Sequence, residues 1–227
     1  DGSVLEFDKV LLALGRRANT QGFGLDEMGV NFIEGGFIEV DSKMRTSVKG
    51  IFACGDVVGK MQFTHFASLS GSTAAINALF WPFKRSIDLR VFPWVTFTDP
   101  EVARVGLSEL EALQSGIDYQ VNRFSLSHSD RAITEGEGEG FLKVLTKGRS
   151  DEILGATLVG VNAGEILQEI TFAMTHGLGL NAILSTIHAY PTWSEVNRAL
   201  AGAWKREGVS GTTNRFLEIF QRFRRSF

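Results

Sequence analysis

The stretch His188-Ala189-Tyr190-Pro191-Thr192-Trp193-Ser194-Glu195 places an imidazole, a phenol, a proline turn and a carboxylate within eight residues. An imidazole, with an ordinary pKa of about 6.5, both accepts and donates protons at neutral pH, whereas a phenol at about 10 is normally a donor only. Tyr190 is therefore a candidate to protonate or hydrogen-bond an anionic species, and a poor base. The stretch leads into a helix. Thr192 or Ser194 is placed to cap it, and Glu195 falls in the first turn, where negative charge is favourable.

A second cluster lies upstream. Ile51-Phe52-Ala53 is a short apolar strand running into Cys54-Gly55-Asp56. Glycine lets a ligand approach the backbone closely, and the aspartate can accept a hydrogen bond from a polyol hydroxyl. Phe63-Thr64-His65 then opens a helix, whose unpaired N–H groups and partial positive charge stabilise an anion. The His65 side chain fits a buried place in a plain N-terminal turn nearly as well as a chemical role. A dithiol centre needs two cysteines, and Cys54 is the chain's one cysteine, expected to be buried and inert.

The elements that must position these groups follow from pattern. Val4–Leu14 ends in an apolar run stopped by Gly15, which suits a pair of strands with the second buried on both faces. Residues 15–36 read mainly as loop, and Phe37–Asp41 alternates like a strand. A helix is expected from about His65 to Phe80, halted by Trp81-Pro82. Beyond a break near 84–90 the pattern becomes antiparallel α+β, with candidate strands at Trp94–Thr98, Tyr119–Ser125, Phe141–Thr146 and Ile153–Val161. Ser108 with Glu111 forms a capping box ahead of a short helix that ends at Gly116. A longer helix covers Gly164 to His176, with apolar positions numerous enough (Phe172 and Met174 included) to imply extensive burial. A last helix runs from about Thr192 to Ala203.

With 227 residues, 44% hydrophobic, 22% charged and a net charge of -3, the chain has ordinary globular composition. Its mildly acidic balance gives no support for nucleic-acid binding, which needs a concentrated basic face. No apolar run approaches the roughly 20 residues needed to span a bilayer. A cytoplasmic location is the default, and a start at Asp1 suits an excised or processed piece. Arg215–Phe227 is basic and amphipathic, with Phe216, Ile219, Phe220, Phe223 and Phe227 on one helical face; it suits packing on the protein itself or a membrane surface.

Several segments agree in order and spacing with one family. Thr46-Ser47-Val48-Lys49-Gly50-Ile51-Phe52-Ala53-Cys54-Gly55-Asp56 is the strongest. Ala13-Leu14-Gly15-Arg16-Arg17-Ala18-Asn19, Phe97–Gly106, Asp130-Arg131-Ala132, Ile153-Leu154-Gly155-Ala156, Ala163-Gly164-Glu165 and the octapeptide accompany it. Together they resemble the C-terminal portion of the FAD-dependent pyridine nucleotide–disulfide oxidoreductases, which include dihydrolipoamide dehydrogenase, glutathione reductase and mercuric reductase.

The resemblance implies an α+β fold, with an antiparallel sheet and helices on one face forming an interface (dimerisation) domain. C-terminal remnants of the nucleotide-binding α/β domains would precede it. Residues 1–20 would be terminal strands of the NAD(P)-binding domain, 21–88 part of the FAD-binding domain, 89–205 the interface domain and 206–227 a basic tail. Gly55 and Asp56 would contact the ribityl chain of FAD, Phe63, Thr64 and His65 would lie beside the flavin ring, and Gly15 would lie near the nucleotides. The family carries a histidine before the octapeptide's proline, oriented by the glutamate five residues on and acting on the partner subunit's thiols. Here Tyr190 takes that position and Glu195 remains, while His188 matches the first, non-catalytic histidine. Tyrosine in this region resembles the mercuric-reductase-type branch, yet the vicinal cysteines of that branch are missing from this sequence. A cis Tyr190–Pro191 bond is implied.

The intact protein would then pass electrons from NAD(P)H through FAD to a thiol/disulfide or other small-molecule acceptor, as a homodimer. The glycine-rich FAD loop and a CxxxxC pair are not in this sequence, so the chain alone is expected to bind no cofactor and to be inactive. The alternative is a non-enzymatic dimerisation module, associated with membrane surfaces through its tail.

Overall fold

The computed structural model describes residues 2–80, 82, 84–208 and 224. The chain divides into two units, Asp1–Asp88 and Leu89–Phe227. The basic amphipathic face expected over 215–227 lies outside the described residues.

In the first unit, β1 (Phe32–Ile33) and β2 (Phe37–Ile38) form a short antiparallel pair joined through Gly35 and Gly36, both at positive φ. Arg45 bridges back to Phe52 just after Met44, which stands at φ 62°, and the Ala53 amide donates to the Met44 carbonyl at 3.2 Å. A single 3-10 turn, Gly55–Val58, leads to α1 (Thr64–Leu79). Val30, Ile38, Val40, Met44, Val58 and Phe66 make the core of this unit. Gly59, at φ 70°, is required where it stands: a Cβ there would lie 2.5 Å from Phe37 Cγ. Asn77 on α1 is fully buried and donates to the Lys43 and Arg85 carbonyls at 2.9 and 2.8 Å, tying the helix to two loops.

Three expectations fail in this unit. Residues 4–14 contain no strand, and Val4, Leu5, Leu11, Leu12 and Leu14 are exposed. A strand buried on both faces needs neighbours to satisfy its backbone groups, and no described residues pair with this segment. Phe32–Ile33 pairs as a strand inside a region read as loop. Cys54 is exposed, because the extended backbone turns Ala53 inward and the next side chain outward.

The second unit is built on a five-stranded antiparallel sheet. Its strands are β3 (Trp94–Thr96), β4 (Glu101–Gly106), β5 (Tyr119–Ser125), β6 (Phe141–Lys147) and β7 (Ile153–Gly160), in the order β3-β4-β7-β6-β5. Alternation along β4 and β6 sends Ala103, Val105, Leu142 and Val144 to the core. Helices α2 (Glu109–Gln114), α3 (Asp130–Glu135), α4 (Ala163–Thr175), α5 (Leu180–Ser185) and α6 (Glu195–Glu207) complete the unit. The Ser108–Glu111 capping box starts α2, and Gly116 follows its end at φ 64°. On α4, Ala163, Ile166, Leu167, Ile170 and Ala173 are buried at helical spacing, and α6 contributes Val196, Leu200 and Ala201 to the same core. Burial of Ile166, Leu167 and Ile170 is worth about 1.5–3 kcal/mol each. Only that stripe is enclosed. Phe172, expected to be buried, is 61% exposed beside His176, with ring centroids 4.4 Å apart. Asn162, the residue before α4, makes no side-chain cap; Glu101 of β4 instead accepts the Gly164 amide at 3.2 Å. That bond anchors the start of α4 to the sheet.

Candidate functional site

The octapeptide forms the turn that enters α6, and its Tyr190–Pro191 bond is cis, as is Asp99–Pro100. The turn is held from below by His188, whose side chain is 5% exposed. His188 Nε2 lies 3.1 Å from Glu169 Oε2 on α4, and Nδ1 lies 3.1 Å from the Thr186 carbonyl. Asn197 on α6, 1% exposed, donates to the same Glu169 oxygen at 2.8 Å and to the Ile166 carbonyl at 3.0 Å. Glu169 therefore links α4, the turn and α6. His188 is structural, and Glu169 and Asn197 are site residues that the sequence did not single out. Their only common signal is polarity on otherwise apolar helix faces.

Tyr190 is 69% exposed. Its phenol donates to Asp130 Oδ2, at the first residue of α3, across 2.9 Å. That hydrogen bond, then the charge of the same carboxylate, then slight desolvation and the charge of Glu195, hold the phenol above its ordinary value of about 10. It is a proton-retaining group. Glu195, expected to support Tyr190, accepts the Thr192 amide at 3.3 Å instead. Neither Thr192 nor Ser194 caps α6: Thr192 Oγ1 donates to the Ala189 carbonyl at 2.7 Å, and Ser194 makes no side-chain cap. The carboxylate at the start of α6 reaches back to an amide ahead of the helix, and the carboxylate beside the phenol comes from α3.

The upstream cluster lies in the first unit. Gly55 is buried at φ 75°, and its amide donates to Ser70 Oγ at 2.9 Å. A Cβ on Gly55 would meet Ala67 Cβ at 3.4 Å, so the turn packs closely on α1. Asp56 is half-buried and ion-paired with Arg16 at 2.5 Å, which brings the residue after Gly15 to this turn. Gly15 itself is exposed at φ 112°. Phe63 precedes α1, Thr64 and His65 open it, and the Phe63 and His65 rings lie 5.3 Å apart. His65 is exposed rather than buried; Phe66 takes the inward position. Gly55, Asp56 and the first turn of α1 thus offer a close-approach backbone, a carboxylate and helix N–H groups in one place, a set that suits the polyol and ring of a flavin. Among the described residues, no three His, Cys, Asp or Glu side chains are arranged to hold a metal ion, and no helix is long and apolar enough to cross a membrane.

Comparison with known proteins gives consistent matches. Residues 92–201 match the family model for the pyridine nucleotide-disulphide oxidoreductase dimerisation domain, and residues 1–71 match that for pyridine nucleotide-disulphide oxidoreductase. The chain is 44% identical over 196 residues to a dihydrolipoyl dehydrogenase of Chlamydia muridarum, covering 86% of this chain and 42% of that protein. A dihydrolipoyl dehydrogenase of Thermus scotoductus is 40% identical over 203 residues, covering 89% of this chain and 43% of that protein. The chain thus spans less than half the length of these relatives. Among solved structures, LpdA from Mycobacterium tuberculosis aligns with a TM-score of 0.79 at 27% identity, over 85% of this chain and 42% of that one. The HOCl-induced flavoprotein disulfide reductase RclA from Escherichia coli aligns with a TM-score of 0.75 at 30% identity, over 84% of this chain and 44% of that one.

Proposed function

The chain belongs to the pyridine nucleotide-disulphide oxidoreductase family, and on that premise we propose that it supplies the dimer interface and one edge of the active site of an FAD- and NAD(P)H-dependent oxidoreductase. The intact protein passes electrons from NAD(P)H through FAD to a thiol/disulfide or metal-type acceptor, in the cytoplasm, as a homodimer. The observation that carries this reading is Tyr190: an exposed phenol, fixed by hydrogen bonding, at the position where the resembled family has its proton-handling residue.

In this reading Gly55, Asp56, Phe63, Thr64 and His65 hold the flavin, with Gly15 close to the nucleotides. Bound FAD would supply the two-electron relay. The chain's own part is to accept a hydroxyl hydrogen bond at Asp56, to set backbone N–H groups of α1 beside developing negative charge, and to present Tyr190 to a partner subunit. Glu195 acts on the site through the backbone of the Tyr190 turn. Tyrosine in place of the family's histidine supports a mercuric-reductase-like branch and argues against general-base removal of a thiol proton at this position. The exposed apolar side chains Phe97, Phe172 and Ile187 support an interface on the second unit.

The test is purification of the chain, alone and with added FAD. It is expected to be colourless, to lack NAD(P)H oxidase and diaphorase activity, and to sediment as a dimer at tens of micromolar. Stoichiometric flavin retained by the chain would overturn the division of labour, and a strict monomer would overturn the interface reading.

A further inference from the structure

The bond between Tyr190 and Asp130 joins positions 60 residues apart, and no local pattern in either segment calls for it. α3 is anchored through Ala132, which is fully buried, and Ser129 before it is buried as well, so the carboxylate of Asp130 stands on a fixed base. The cation next in sequence, Arg131, is ion-paired with Glu135 on the same helix. On the other side, Glu195 is turned back to the Thr192 amide. The phenol therefore meets one carboxylate on α3, with a second carboxylate on α6 nearby. Its ring is largely in solvent, so the hydrogen bond rather than packing decides where the oxygen sits.

We propose that Asp130 is the positioning residue for Tyr190: it takes the phenolic hydrogen into a bond within the chain's own fold and leaves the oxygen's lone pairs to the molecule that docks on this surface. The proposal rests on the reading of Tyr190 as the side chain presented to the partner subunit, and it deepens that reading by naming a ligand class. A phenol whose hydrogen is committed acts first as an acceptor. A thiol S–H, an ammonium group or another hydrogen-bond donor matches it. A thiolate or other anion meets the Asp130 carboxylate and is disfavoured.

The experiment uses the full chain with Tyr119→Phe, which leaves Tyr190 as its one tyrosine. Alkaline titration of the ultraviolet phenolate band is compared among the parent, Asp130→Asn and Asp130→Glu, with Tyr190→Phe as the blank. Asp130→Asn is expected to lower the midpoint, and Asp130→Glu to restore part of the difference. An Asp130→Asn midpoint equal to the parent's overturns the proposal. Should Asp130→Asn lose its circular dichroism signature, the parent decides alone: a midpoint at or below that of free tyrosine overturns it. None of these readings needs flavin or turnover, so the pairing and the redox reading fail separately.

Discussion

Replacing Glu169 by alanine removes the one acceptor shared by His188 and Asn197. The Glu169 side chain is 27% exposed and that of His188 is 5% exposed, so water replaces the lost bonds only in part. His188 keeps its contact with the Thr186 carbonyl, and Asn197 keeps its bond to the Ile166 carbonyl. Each therefore loses one hydrogen bond to a charged group, worth about 1.5–3 kcal/mol when fully enclosed. Allowing for partial rehydration, the loss is about 3 kcal/mol. For a unit of this size that corresponds to a melting point lower by about 6–12 °C. Glu169→Gln keeps an oxygen that both partners can share but removes its charge, so about half the effect is expected. The assay is urea unfolding followed by far-UV circular dichroism, checked by thermal melting. A cycle with His188→Ala is expected to show coupling of about 1 kcal/mol or more, since the two side chains touch. Stability of Glu169→Ala within about 0.5 kcal/mol of the parent would refute the view that Glu169 clamps the Tyr190 turn between α4 and α6.

Two further outcomes follow from local geometry. Ser108→Ala deletes the hydroxyl that accepts the Glu111 amide at 3.2 Å, and is expected to cost about 1 kcal/mol with an unchanged denaturant slope; an unchanged midpoint would contradict the capping assignment. The Tyr190–Asp130 bond contributes stability while the phenol is protonated. Because the folded chain raises the phenol's pKa, that contribution is complete below about pH 10 and is lost as pH rises through the higher folded value. Unfolding of Tyr190→Phe and parent chains should therefore differ by a constant amount from neutral to mildly alkaline pH and converge in strong alkali, whereas convergence below about pH 9 would contradict the raised value.

Much of the second unit is legible because its signals are local. Tyr119–Ser125 alternates, Ser108 and Glu111 stand at capping-box spacing, and the α4 stripe repeats every three or four residues. The strand Glu101–Gly106 is not among the expected strands: Glu101 and Arg104 interrupt its apolar residues, and it follows directly on the Asp99-Pro100 turn. In the first unit the apolar run ending at Leu14 reads as a burial signal, but burial needs partners and no pattern in the run says where they are. Cys54 differs from its expected burial by a single residue of phase: Ala53 takes the inward position. At the Tyr190 turn the residue types were visible, whereas the pairings were not. Glu169 and Asp130 reach the turn through tertiary packing from 19 and 60 positions away.

The strand order carries a consequence for assembly of the second unit. β3 pairs with β4, and β5 pairs with β6 across the connection that carries α3; within the sheet the two pairs are joined by β7, which pairs Ala103 with Leu158 on one side and Leu142 with Leu158 on the other. A nascent chain that has not yet emerged past residue 153 holds two separate ribbons, and isolated two-stranded hairpins are marginal in water. β7 is thus the keystone: the last of these five strands to be synthesised is the one that turns both ribbons into a single wall, against which α4 and α6 can then settle.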